Sequence, residues 1–166
     1  MLCWMNGQYI ESDELRISPM DHGFLYGLGF FETFRTYRGK VVFLYEHYVR
    51  LCEGLQEYRI AMPYTLDELE GVIKKLNEQD GKDGYFRINV SAGVHDIGLA
   101  PQQYPEPNVI VFRKSLAIAP RGTEKQAQWL ETARNSPEQV KRHKSHHYGN
   151  NVSARLELPN LTDFEG

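Results

Sequence analysis

The stretch YFRINVSAG, residues 85–93, limits the possible folds more than any other segment of the chain. Phe86, Ile88, Val90 and Ala92 fall on one side of an extended backbone and Tyr85, Arg87, Asn89 and Ser91 on the other, so it reads as a strand with one apolar and one polar face. The polar face is either plain solvent-facing surface, which is the commoner case, or the floor of a site for an anionic substrate. A phenol, a guanidinium, an amide and a hydroxyl in one line suit the second reading.

Other strands flank this one. LCWMNGQYI alternates around Asn6-Gly7, a dipeptide suited to a type I′ turn, and predicts a tight hairpin. FFETFRTYRGKVVFL is rich in aromatic and β-branched residues and breaks at Arg38-Gly39-Lys40, which predicts two strands and a short turn. Residues 108–118 (NVIVFRKSLAI) and 129–134 (WLETAR) predict two more strands. Between them the period changes. Tyr48, Leu51, Cys52, Leu55 and Tyr58 form one helical stripe that ends before Pro63. A second helix starts at TLDE, where Thr65 and Glu68 can form a capping box. It carries Leu66, Leu69, Val72, Ile73 and Leu76, and it stops in DGKDG.

Strands, then two helices, then strands predict an α+β fold, an N-terminal antiparallel sheet with two helices, because the elements do not alternate as a parallel α/β fold requires. We place a boundary near Pro120: residues 1–119 form the N-terminal domain, and residues 120–166 a linker and the beginning of a second domain with a helix in NNVSARLEL. The residues after Pro120 fall short of the roughly 50 needed for an independent core, so the expectation is an incomplete second domain.

Hydrophobic residues at 41% and charged residues at 25% match a folded globular chain. A net charge of -3 and a pI near 6.1 give no pull toward nucleic acid or anionic membranes, and no apolar run is long enough to span a bilayer. The start lacks the basic and apolar regions of a signal peptide, which predicts a cytoplasmic protein. Cys3 and Cys52 then read as reduced thiols.

The chemistry concentrates in RHKSHHYGNN, residues 142–151. His143, His146 and His147 invite a metal, but no CxxC, HExxH or carboxylate-rich partner completes a tetrahedral shell, and packing, capping or ligand contact is the expectation instead; no metal is predicted. Lys144 stands beside Lys141, Arg142 and the histidines, like charges that lower the pKa of an ammonium and ready it as a nucleophile and base. Against that, VKRHK also reads as a solvated basic face. Arg50 is either a surface arginine or an anchor for a phosphate.

Four motifs in order, DHGFLYGLGFFETFR, EHYVRL, YFRINVSAG and KSHHYGNNVSARLE, resemble the fold-type IV enzymes that use pyridoxal 5′-phosphate. That group includes branched-chain and D-amino-acid aminotransferases and aminodeoxychorismate lyase. DHGFLYG, FFETFR and KSHHY look most like the bacterial aminodeoxychorismate lyases. The resemblance implies that Lys144 is the catalytic lysine that holds the cofactor, and that Arg50 binds its phosphate. It also implies that Phe31, Arg35, Tyr85 and Arg87 face the substrate. Asn151 falls at the family's asparagine position, whereas Gly149 stands where related transaminases have Tyr or Leu. The implied reaction gives 4-aminobenzoate and pyruvate, a step toward folate, from a small-molecule substrate in a homodimer. The alternatives are a class IV aminotransferase and a non-catalytic remnant. In the family the acidic partner of the pyridine nitrogen lies beyond the point where this chain stops, so the chain alone is expected to show little activity.

Overall fold

The computed structural model describes residues 1–100, 102–117 and 119–166. The chain separates into two compact units, Met1–Ala117 together with His143–His146, and the rest of the residues beyond 118.

In chain order the first unit contains β1 (Leu2–Met5), β2 (Gln8–Glu11), α1 (His22–Tyr26), β3 (Gly29–Tyr37), β4 (Lys40–Val41), α2 (Leu44–Glu57), α3 (Leu66–Asn77), β5 (Gly84–Ser91) and β6 (Asn108–Ser115). Six strands form one antiparallel sheet in the order β2-β1-β6-β5-β3-β4, the expected α+β architecture. The first hairpin turns on Asn6 and Gly7 with φ of 46° and 92°, the left-handed pair that a type I′ turn requires.

The alternation in residues 85–92 sets the layers. Phe86, Ile88 and Val90 are buried and face a core that includes Leu51 and Leu55 of α2 and Leu69, Ile73 and Leu76 of α3. Phe34 of β3 stacks on Phe86 with ring centroids 5.6 Å apart. Thr65 and Glu68 form the expected capping box at the start of α3. The opposite face of β5, with Tyr85, Arg87, Asn89 and Ser91, is only partly covered.

One arginine breaks the apolar face. Arg113 of β6 is buried and donates to Asp80 (2.5 Å) and to the Lys82 carbonyl (2.9 Å). Hydrogen bonds to Asp80 from Arg113 first, then from the Ser115 hydroxyl and the Lys82 amide, hold its carboxyl well below the usual carboxylate range. A carboxyl depressed in the folded state stabilises the fold above its unfolded pKa of about 3.9, and that contribution is lost as pH falls. Asp80→Asn is therefore expected to lower the urea midpoint at pH 7 and to flatten its decline below about pH 4.

Two local expectations need correction. Residues 129–134 are not a strand: the amides of Glu131 and Thr132 donate to the Glu157 carboxylate (2.6 and 2.8 Å) instead of to a neighbouring strand, and Trp129 is fully exposed. The second unit instead pairs β7 (Gln126–Ala127) in parallel with β8 (Phe164–Glu165), alongside α4 (Gly149–Leu156). The strand expected over 108–118 ends at Ser115, and Ile118 lies outside the described residues. The short α1 was not expected from its glycine-spaced sequence; Asp21 caps it by accepting from Gly23 N at 2.6 Å. Among the described residues no helix is long and apolar enough to cross a membrane.

Candidate active site

Strand pairing arranges the partly covered face of the sheet into rows, because residues directly opposite on antiparallel strands share a face. Phe31 lies opposite Asn89, Thr33 opposite Arg87, and Arg35 opposite Tyr85. On the other side of β5, Asn89 meets Ile110, Arg87 meets Phe112 and Tyr85 meets Lys114.

Lys144 joins these rows at the edge of β3. Phe31 N donates to the Lys144 carbonyl and His146 N to the Gly29 carbonyl, both at 2.9 Å, with Phe30 and Ser145 forming an antiparallel bridge. Residues 144–146 thus lie beside β3 as one more extended segment. Alternation puts Lys144 and His146 on the face of Phe31, and His143 and Ser145 on the helix side. Lys144, Phe31, Asn89 and Ile110 then form one row, and His146, Gly29, Ser91 and Asn108 the next.

The side chains agree with this placement. Lys144 Nζ is 4.9 Å from the Phe31 ring centroid, and the Arg87 guanidinium carbon is 3.7 Å from the same centroid. Arg87 Nε donates to Asn89 Oδ1 at 2.7 Å, which fixes the guanidinium over the ring. Further along, Lys114 Nζ lies 4.9 Å from the Tyr85 ring. Arg35 donates from Nε to the Thr36 carbonyl at 3.1 Å, while its Nη2 is buried with no hydrogen-bond partner among the described residues. Four cations on one sheet face, with no carboxylate in their rows, form a surface for an anion. The structure brings Lys144, Phe31 and Arg87 into contact, and it sets Arg35 and Tyr85 as cross-strand neighbours on the same face.

A cavity of about 370 Å³ adjoins the second row, with Asn89, Ser91, Asn108 and His146 as polar lining and Phe24 and Ile110 as apolar walls. Asp21, buried at its base, accepts from Ser91 Oγ (2.7 Å), Asn108 Nδ2 (2.5 Å) and Gly23 N. That carboxylate is saturated by neutral donors and needs no cation.

Arg50 approaches β3 from the other side. Its Nε and Nη2 each donate at 2.6 Å to Glu32, a carboxylate only 1% exposed, and His47 Nδ1 lies 2.7 Å from the same group. The bidentate bond raises the pKa of Arg50 further and fixes the plane of its guanidinium, whose side chain remains 51% exposed. Arg50 therefore sits on the helix side of β3, bound to Glu32, on the opposite sheet face from Lys144. Glu32 was not expected from the sequence. The signal was available: a glutamate in phase with Phe30 and Phe34 must be buried, and a buried carboxylate needs a partner.

The three histidines diverge. His143 bonds to Glu57, His146 stacks along Phe31 with centroids 6.3 Å apart, and His147 Nδ1 lies 3.7 Å from Glu138 within the second unit. Among the described residues no group of three His, Cys, Asp or Glu side chains is placed to hold a metal ion. The positive neighbours of Lys144 in sequence also turn elsewhere, Arg142 to the Asn135 carbonyl and His143 to Glu57.

Residues 29–162, which include β3, β5, β6, both long helices and Lys144, match the family described as Amino-transferase class IV. The chain belongs to that family. It is 40% identical over 168 residues to the aminodeoxychorismate lyase of Bacillus subtilis (strain 168), covering 99% of this chain and 57% of that protein. The T.th. branched-chain amino acid aminotransferase, solved with pyridoxamine 5′-phosphate, superposes with a TM-score of 0.81 at 25% identity, over 94% of this chain and 55% of that one. The 4-amino-4-deoxychorismate lyase of Pseudomonas aeruginosa shares the fold with a TM-score of 0.76 at 24% identity, over 98% and 58%. The chain thus spans little more than half the length of these relatives.

Proposed function

We propose that these residues serve a pyridoxal-5′-phosphate-dependent lyase that converts aminodeoxychorismate into 4-aminobenzoate and pyruvate. The observation that carries this reading is Lys144 on the open sheet face, its amine 4.9 Å from Phe31, with Arg87 stacked on the same ring. Likeness to the Bacillus subtilis lyase along 99% of the chain supports a lyase over an aminotransferase.

The two candidate cofactor residues meet β3 one position apart but on opposite sides of the strand, Lys144 beside Phe31 and Arg50 at Glu32. Lys144 supplies a primary amine for an aldehyde, and Arg50, held in one plane by Glu32, keeps its Nη1 edge for a phosphate. When bound, pyridoxal phosphate supplies a carbonyl that takes up an amine and a ring that accepts electron density. The work of the protein is placement. Arg87 and Arg35 attract the carboxylates of the substrate, Phe31 and Ile110 pack against its ring, and Asn89 holds Arg87 in position. With the cofactor bound, Lys144 as a free amine would take the proton from the carbon that carries the substrate amine. A cytoplasmic homodimer acting on this small molecule, with no nucleic-acid or membrane partner, is part of the same proposal; the net charge of -3 and the free thiols of Cys3 and Cys52 accord with it.

A coupled assay separates the two chemistries. Pyruvate and 4-aminobenzoate formed from aminodeoxychorismate support the lyase, and keto-acid formation from D- or branched-chain amino acids without pyruvate release would replace it with an aminotransferase. Arg50→Lys keeps the charge but loses the bidentate fork, so binding of pyridoxal phosphate is expected to weaken about tenfold while that of pyridoxal, which has no phosphate, stays unchanged. Fluorescence titration of both ligands reads this directly.

A further inference from the structure

The backbone tether of Lys144 is slight. Two hydrogen bonds, Phe31 N to the Lys144 carbonyl and His146 N to the Gly29 carbonyl, tie the segment to β3. A tether of that size opens readily, yet an amine that must meet one carbon atom needs a fixed origin. The flanking histidines supply what the backbone lacks.

His143 points to the helix side. Its side chain is 6% exposed, its ring meets Phe30 edge-on with centroids 5.9 Å apart, and its Nε2 bonds to the Glu57 carboxylate in the last turn of α2. The buried Nδ1 has no hydrogen-bond partner among the described residues, so the Glu57 bond is the anchor of this ring. His146 points the other way and lies along Phe31. Each imidazole occupies space that a glycine leaves open. A Cβ on Gly54 would stand 3.2 Å from His143 Nδ1 and 3.0 Å from the Phe30 ring, and a Cβ on Gly29 would stand 2.5 Å from the His146 ring. Gly54 lies inside α2 with no left-handed φ to require it, and glycine weakens a helix relative to alanine. Room for the Phe30 and His143 rings together accounts for its presence there.

We propose that His143 and His146 are positioning residues for Lys144, clipping its segment to both sides of β3: His143 through Glu57 and the Gly54 gap, His146 over Gly29 against Phe31. This rests on the reading of Lys144 as the cofactor-holding lysine. The two histidines act through the backbone of residues 143–146 and set where the amine starts. They take no part in the covalent step.

The test uses His143→Leu, which keeps the bulk but removes the donor, and His143→Gln, which restores a donor toward Glu57. Two readouts are followed well below the melting temperature: hydrogen exchange of the Phe31 and His146 amides, and the rate at which borohydride traps pyridoxal phosphate on the protein, with the site identified by peptide mapping. His143→Leu is expected to speed exchange at both amides and slow trapping on Lys144, each by about tenfold, the effect of one lost charge-assisted hydrogen bond. His143→Gln is expected to recover both to within about threefold, since the amide again donates to the Glu57 carboxylate. Trapping on Lys144 in the parent protein at the same rate in His143→Leu, with unchanged exchange, overturns the positioning role alone. Equal impairment of the Gln and Leu variants overturns it as well. Trapping on a different lysine in the parent protein removes the Lys144 reading and the positioning role together.

Discussion

Lys144→Ala is expected to abolish covalent capture of pyridoxal phosphate and, for the lyase proposed above, to lower turnover by at least about a thousandfold, because one substitution removes both the amine that takes the aldehyde and the group that moves the proton. Lys144→Arg should fail equally. It keeps the cation near Phe31, but a guanidinium does not lose its proton at working pH and is not a nucleophile. This pair separates chemistry from charge, and a cation whose only task was to attract an anion would survive the exchange. Stability should change little in either variant, since the contact of Nζ with the Phe31 ring contributes only about 0.5–1 kcal/mol at a partly open site. Stopped-flow absorbance of the cofactor and a pyruvate assay check both statements.

The largest effect on stability is expected one layer away. Phe86 is fully buried between the sheet and its helices, stacked on Phe34, and truncation to alanine leaves a cavity that the rigid β3–β5 pair cannot close. Phe86→Ala should cost about 3–5 kcal/mol, a large part of the 5–15 kcal/mol that holds a typical domain together. Tyr85, its neighbour in sequence, is only partly buried on the opposite face, so Tyr85→Ala should cost much less while weakening substrate binding. Urea midpoints with an unchanged slope would show that the difference is one of native-state packing. Two adjacent residues would then divide cleanly between fold and function.

That division was legible in residues 85–92, where period two alone assigns each side chain to a face. The hairpin at Asn6-Gly7 and the Thr65–Glu68 capping box were legible for a similar reason, since their partners lie within a few residues. What escaped the sequence depends on long separations. Asp21 caps α1 but is completed by Ser91 and Asn108, which are 70 and 87 positions away. The pairing of Lys144 with Phe31 joins distant parts of the chain through bonds that leave no periodic trace. WLETAR has the composition of a strand, but a strand needs a partner edge, and the Glu157 carboxylate took the amides instead. Among the site residues, alternation placed Tyr85 and Arg87 on one face, Phe31 and Arg35 came from resemblance, and strand pairing put all four on the same face. Lys144 and Arg50 came from resemblance, and Glu32 and Glu57, the carboxylates that hold Arg50 and His143, from geometry alone.

Lys144 is proposed as the lysine that receives the cofactor. Borohydride reduction of the protein with one equivalent of pyridoxal phosphate, followed by proteolysis and mass mapping, tests it most directly. A single modified peptide containing Lys144 is expected. Modification of Lys114, which shares the open face beside Tyr85, or the absence of any modified peptide would contradict it.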